Sequence, residues 1–328
     1  MFKYILKRIG ISILILLGVS LLLYTLLRCM PTSFVDTKID ALNASGTEVS
    51  AEFKQKLYEA YGLDGNIIEG YFGWLKNICK GNFGQSFISG REVLSDIFKP
   101  DRIGTSFLIA AIATVFEFMI AIPLGITAAT HQYSIRDYVV TVLVLVGISL
   151  PSFFFGQMLK DIFANKLQWF PTSGNKDTNV SLTGMAAVMD YLYHMFLPVL
   201  TITILSIGGR MRMTRTNMLE VLNSDYIRTA RAKGLQEGKV IYKHAFRNTL
   251  IPLVTGLAGL IPSLFSGAML TEQVFDLTGI GNYALNAMTQ GDIPVIMTYN
   301  MFLAVLSVTG VLLADLMYAV VDPRVKLA

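Results

Sequence analysis

Charge is what this sequence has least of. Asp, Glu, Lys and Arg make up 15% of its 328 residues, while 53% are hydrophobic. Soluble domains run to about 25% charged and roughly 45–50% apolar, so the shortage of charge is the larger departure. A soluble chain of this length could bury a large core, yet it would still need a charged surface. Here the charges are confined to a few stretches between long apolar runs. Cysteine is scarce too. Cys29 and Cys79 cannot make a disulfide framework, and their spacing matches no metal site. Both fall on the same expected side of a membrane, so a bridge between them stays open. The net charge of +4 is too small to argue for nucleic acid. His131, His194 and His244 are scattered, without HExxH or any paired-ligand spacing.

A phosphate loop is also lacking. Gly234-Leu235-Gln236-Glu237-Gly238-Lys239 has three residues between its glycines instead of four, and Val240 stands where Ser or Thr would hold magnesium. Any ATP used must be hydrolysed by another chain. Nor is the N-terminus a cleavable signal. Lys3, Lys7 and Arg8 precede an apolar run, Ile9–Leu27, that is longer than the ~7–15 residues of a signal core and has no small-x-small site after it.

What is present is a set of membrane-length runs. A spanning helix needs about 20 mostly apolar residues. Six stretches qualify: Ile9–Leu27, Thr105–Ala128, Tyr138–Phe163, Tyr191–Ile207, Leu250–Leu270 and Tyr299–Val321. Pro123, Pro151, Pro198 and Pro262 lie within them and are tolerable where neighbouring groups satisfy the freed carbonyls. The expected fold is an all-α membrane protein with six spanning helices. Its plan is 1–28 as the first helix, 29–104 as an extracytoplasmic insert, and 105–328 as a five-helix core containing the loop 209–248.

Loop lysines and arginines set the orientation. With the N-terminus inside, the inner segments hold Lys3, Lys7 and Arg8, Arg136, a cluster from Arg210 to Arg247, and Arg324 and Lys326. The short outer loops hold only Lys166 and Lys176, with Lys160 near a boundary, and 271–298 has none. Both termini are expected in the cytoplasm. The inner loop 209–248 has only Glu220, Asp225 and Glu237 as acids and is therefore strongly basic.

Within that loop, residues 224–235 read as a short capped helix. Ser224 or Asp225 can cap its start, and Gly234 can take the left-handed conformation that ends it. Tyr226, Ala230 and Lys233 share one face, and the small Ala230 and Ala232 allow another surface to approach. A second short helix is expected from about Glu237 to Phe246. Three readings fit such an element: a solvated loop touching anionic lipid, a nucleic-acid-binding hairpin, or a docking element for another protein. The hairpin is the weakest, because the loop is tethered at both ends and too short for such a domain.

"DYIRTARAKGL" followed by "HAFRNTLIP" resembles the cytoplasmic loop of ABC importer permeases, and within them the dipeptide, oligopeptide and nickel branch. Arg228-Thr229-Ala230 stands where the general motif has Glu-Ala-Ala, and Gly234 is its glycine. The resemblance runs along the chain: "YGLD" at Tyr61–Asp64, Trp74-Leu75, "GNFGQSF" at Gly81–Phe87, "IPLGI" at Ile122–Ile126, "SLPSFFFG" at Ser149–Gly156, "WFPTSG" at Trp169–Gly174, "TEQVFDLTGIG" from Thr271, and "DPR" at Asp322–Arg324. Asn82 stands where Asp is more usual, and Thr278 where Pro is.

The resemblance implies a permease importing a peptide or, as the alternative, nickel or a metal chelate. It implies Asp225, Tyr226, Arg228, Thr229, Ala230, Arg231, Ala232 and Gly234 as a helix coupling to an ATPase. It also implies a second related permease, two cytoplasmic ATPase subunits carrying ATP and Mg, an extracytoplasmic substrate-binding protein, and a prokaryotic cell membrane. No cofactor is expected on this chain, and no nucleic acid as partner. Glu117 and Asp315 lie inside expected spans, where an ionisable group marks either a pathway or a buried structural contact. Pro151 either unwinds a helix beside the pathway or serves packing. A secondary transporter would need inverted repeats and broken helices coordinating a coupling ion, and the sequence shows no such symmetry. A membrane-anchored sensor would need no coupling helix.

Overall fold

The computed structural model describes residues 2–29, 34–44, 49–60, 66–178, 180–266 and 268–321. "YGLD" and "DPR", with Arg324 and Lys326, lie outside the described residues. The described chain is helical, and its only β pairing is an isolated bridge between Gln85 and Glu92.

Among the described residues, four helices are long and apolar enough to cross a membrane. They are Leu6–Leu26 within α1 (Phe2–Arg28), α6 (Pro100–Thr130), α9 (Met185–Leu222), and Ile293–Asp315 within α16 (Ile293–Val321). These match the first, second, fourth and sixth expected stretches. The third and fifth are helical but interrupted. α7 (Ile135–Ser149) stops at extended Leu150 and Pro151 before α8 (Ser152–Leu159), which continues as a π-helical turn, Lys160–Lys166. The fifth runs through α12 (Arg247–Thr255), a 3₁₀ turn at Gly256–Gly259, α13 (Leu260–Ser266) and α14 (Met269–Val274). Pro151 has no N–H to give a helix, so the break there follows from its chemistry. Pro123 and Pro198 lie inside unbroken helices.

The chain forms two compact units. The first joins Met1–Ile103 to Tyr283–Val308. In it α1 exposes most of its apolar surface, with Leu14 71% exposed, while Ser12, Ser20 and Tyr24 are buried. A helix apolar all round is stable against lipid but not against water. Tyr24 packs with Ile39, Tyr71, Ile293 and Met297, so α2 (Phe34–Ala44), α4 (Ile67–Cys79) and the start of α16 share one core. α3 (Ala51–Ala60) joins α2 through Lys54 and Tyr58, both bonded to Asp36. Cys29 and Cys79 are free thiols.

The segment "GNFGQSF" folds around a single carboxylate. Gly81 and Gly84 have φ of +79° and +84°. The Asn82 side-chain oxygen accepts the Gly84 N–H at 3.0 Å, a bond that Asp would make equally well. Buried Asp292 accepts the Ser86 hydroxyl at 2.5 Å and the Phe87 N–H at 3.0 Å.

Asp96, in α5 (Val93–Ile97), is 2% exposed and bonded to Lys99, Arg102 and the Tyr283 hydroxyl. The Arg102 guanidinium lies 3.7 Å from the Tyr283 ring centre. Burial alone would raise the Asp96 carboxyl, but Lys99, Tyr283 and Arg102 more than offset it and hold it at about 2. Burial and the same carboxylate push the Tyr283 phenol up to about 12, so it stays a donor. A depressed carboxyl contributes stability above its unfolded pKa and loses it as pH falls towards its folded value. Asp96→Asn is therefore expected to lower the melting temperature at pH 7, and the deficit should persist down to pH 4 and narrow below it. Thermal unfolding of wild type and variant across that range checks this.

The second unit comprises Gly104–Asn282 and Thr309–Leu327. α9, at 38 residues, is about 57 Å long, far beyond the ~30 Å of a hydrocarbon core. The first third of the loop 209–248 is thus a continuation of α9. At Gly125, a Cβ would lie 2.6 Å from the Thr214 Cβ, so α6 and α9 touch nearly backbone to backbone.

Candidate functional site

α10 (Asp225–Ala232) is built as the spacing of its residues requires. Ser224 sits at the N-cap with extended backbone, but its hydroxyl bonds the Val221 carbonyl at 2.6 Å and does not cap the helix. The far end is a full Schellman closure. Leu235 N–H reaches the Ala230 carbonyl, Gly234 N–H reaches the Arg231 carbonyl, and Gly234 has φ +73°.

One face of α10 is buried, and it is not the expected one. Ile227 and Ala230 pack on Ile126 and Ala129 of α6, Met218 of α9, and Val240 and Ala245. Tyr226 and Lys233 are exposed, so Ala230 is turned inward, away from them. The second short helix is α11 (Glu237–Lys239), running through a π-helical turn, Val240–Phe246, into α12. The outward face of α10 carries Asp225, Tyr226, Arg228, Thr229, Arg231 and Ala232. Its contacts are light. Arg228 and Asp225 lie 3.7 Å apart, Thr229 donates to the Asp225 carbonyl, and Asn248 donates to the Tyr226 hydroxyl at 3.2 Å. Arg231 pairs with Glu237 at 2.7 Å, which ties α10 to α11. The loop is thus a basic platform with an apolar underside fixed to two membrane helices.

Glu117 meets Arg210, a residue that sequence reasoning counted among the loop charges. Arg210 Nε donates to Glu117 Oε1 at 2.9 Å, and its guanidinium lies 4.5 Å from the Phe118 ring centre. A lone buried charge would be costly, and the pair with its aromatic cover offsets this. Asp315 is half-buried in α16. Pro151 stands at the break between α7 and α8.

"TEQVFDLTGIG" and "WFPTSG" come together. Gly174 N–H donates to the Phe275 carbonyl at 3.0 Å, and Asn175 bonds both backbone and hydroxyl of Thr278. Glu272 is fully buried. It accepts the Ser106 hydroxyl at 2.6 Å and the Asn282 N–H at 2.8 Å, the latter at the start of α15 (Ile280–Gln290). Ser106 also accepts the Ile280 N–H at 2.9 Å. A carboxylate at a helix N-terminus is favoured by the unpaired amides there. The glycines follow from it, since a Cβ on Gly279 would lie 2.2 Å from the Glu272 carboxylate and one on Gly281 would lie 2.8 Å from the Met269 Cα.

Residues 121–327 match the family described as "Binding-protein-dependent transport system inner membrane component", and residues 1–107 match its N-terminal companion. The chain belongs to this family. The oligopeptide transport system permease protein AppB of Bacillus subtilis is 36% identical over 326 residues, covering 99% of this chain and 100% of AppB. The dipeptide transport system permease protein DppB of Escherichia coli K12 is 32% identical over 343 residues, covering 99% of each. A solved structure of the MetNI methionine ABC transporter aligns with a TM-score of 0.47 at 15% identity, over 66% of this chain and 93% of that one.

As an inner membrane component of such a system, the chain is a multi-pass transport permease of the ABC importer class, working with ATPase and substrate-binding partners. The helices broken at Pro151 and Gly256–Gly259 do not make the chain a secondary transporter, because the family it matches is that of binding-protein-dependent transport.

Proposed function

We propose that this chain is one of two related permeases that form the pathway of a peptide importer, and that α10 is where it couples to one of two cytoplasmic ATPase subunits. The observation that carries the reading is the division of α10 into a basic outward face and an inward face seated on α6 and α9. Docking on the outward face loads both helices through Ile227 and Ala230. The relatives named for oligopeptide and dipeptide transport support peptide as cargo, delivered by an extracytoplasmic binding protein to the side opposite α10. ATP held between two ATPase subunits would bring the coupling helices together and favour the outward-open state, because ATP binds the two states with different affinity.

Arg228→Glu tests it. Arg228 is 73% exposed in its side chain and makes one long contact to an exposed carboxylate, so the fold is expected to be untouched. Reversing its charge on a docking face should cut ATPase retention on purification at least tenfold and remove substrate-stimulated hydrolysis. Wild-type retention and hydrolysis would mean that α10 does not couple. Loss of coupling in the variant, together with import of a non-peptide solute and no peptide by the wild type, would refute only the cargo.

A further inference from the structure

We propose that α4 is an interfacial membrane helix, with Ile68 and Phe72 in the acyl chains of the leaflet that holds the Arg28 end of α1. The insert is then not a wholly aqueous domain. The depth comes from α1 itself. Its apolar run is Leu6–Leu26. Ser20 lies six residues inside that end and Leu17 nine, or about 9 and 14 Å along the helix axis. The Tyr71 hydroxyl of α4 is 2.8 Å from Ser20 Oγ and donates to the Leu17 carbonyl at 3.3 Å. Tyr71 and Trp74 also pack on the Tyr24 ring, with centroids 5.8 and 5.7 Å apart. A tyrosine hydroxyl bonded that far below the end of the apolar run cannot belong to a helix standing clear of the bilayer. These contacts place Tyr71, and the turn of α4 that carries it, beside the outer turns of the apolar run of α1. This fits the ~5–10 Å at which amphipathic helices settle below the headgroups.

The faces of α4 agree. At 3.6 residues per turn, Tyr71, Trp74 and Ile78 form the side turned to α1, while Glu69, Lys76 and Lys80 form a polar side. Between them lies a stripe of Ile68 and Phe72, with Leu75 at its edge half-buried against the Tyr24–Tyr71 core. Ile68 is 61% exposed and Phe72 62% exposed. Facing water, that stripe would sit beside charged residues without cover. In acyl chains it is satisfied, and Lys76 and Lys80 lie at the level of lipid phosphates. The proposal rests on α1 crossing the bilayer and not on the cargo or on α10.

Spin labelling of the whole importer in phosphatidylethanolamine–phosphatidylglycerol nanodiscs tests it. Nitroxides are placed at Phe72→Cys, Ile68→Cys and Glu69→Cys, with Cys29 and Cys79 replaced by serine and ATP-driven transport confirming assembly. Collision with oxygen over a water-soluble nickel chelate is expected to be severalfold higher at positions 68 and 72 than at 69. Preference for the nickel chelate at 68 and 72 would place the stripe in water, and shielding from both reagents would mean that protein covers it. Either result overturns the proposal. If Phe72→Cys does not assemble, position 68 reads the same stripe. A label at Leu14, midway along α1, separates failure of the α1 premise from failure of the proposal.

Discussion

Gly279→Ala is expected to cost on the order of 3 kcal/mol and to remove most folded permease from the membrane. Glycine 279 keeps an ordinary negative φ, so alanine brings no backbone strain there. The penalty is a collision, because the new Cβ would stand 2.2 Å from the Glu272 carboxylate. Glu272 is 0% exposed and cannot swing into solvent. It must give up the Ser106 hydroxyl and the Asn282 amide, leaving a carboxyl group and its donors buried and unmatched. A double-mutant cycle isolates this cause. Glu272→Ala is itself destabilising, but adding Gly279→Ala to it should then cost almost nothing, since the obstructing group is gone. Gly281→Ala should behave otherwise, because its obstacle is the Met269 backbone and persists in the Glu272→Ala background. Gly104→Ala is the control, in a helix with open space around it. Melting curves of detergent-solubilised protein decide the matter. Additive losses for Gly279→Ala and Glu272→Ala would show that the two do not act through one contact.

Ala230→Glu is expected to have an effect of similar size, by unseating from beneath the loop that we propose to be the coupling element. Ala230 is 8% exposed, among Ile126, Met218, Ile227 and Val240. A carboxylate there has no partner, and an unpaired buried charge costs on the order of 3–5 kcal/mol, more than a hundredfold in any equilibrium it enters. The loop should detach from α9, and ATPase retention should fall with it. Gly234→Val reaches the same end by another route. Nothing lies within 4 Å of a Cβ there, so its whole penalty is a β-branched residue held at φ +73°. Lys239→Ala, by contrast, removes one exposed charge and should cost less than about 1 kcal/mol. Proteolysis of the loop and ATPase retention, measured together, separate these variants from Arg228→Glu. The first two should open the loop to protease, whereas Arg228→Glu should leave it closed. If Ala230→Glu leaves both readouts at wild-type levels, α10 is not fixed through its underside.

Much of this was legible in the residues. The end of α10 at Gly234 follows from local chemistry, because a left-handed residue after a short helix is cheap only for glycine. The four long spans follow from composition. Which face of α10 turns inward did not follow. A wheel of eight residues offers two faces, and the choice between Tyr226–Ala230–Lys233 and Ile227–Ala230 is made by Ile126 and Ala129, far away in sequence. The partner of Glu117 was hidden for the same reason, since Arg210 reads as a loop charge until α9 is seen to run straight through the expected boundary. The break at Pro151 was visible as a proline. The one at Gly256–Gly259 leaves only glycines, which helices often absorb. The role of Glu272 was visible as a motif letter, but its meaning depended on Ser106, 166 residues away.

α9 has one further consequence. From Val199, just past its proline, to Leu222 it is an uninterrupted helix of about 36 Å. Along that length it carries Thr201 beside Gly156, Arg210 against Glu117, Thr214 against Gly125, and Met218 under Ile227. A rod held at four heights has no joint in which a push from the loop could be absorbed. If α10 docks as proposed, a displacement of Met218 would be carried along one unbroken helix to the level of Thr201 and Gly156.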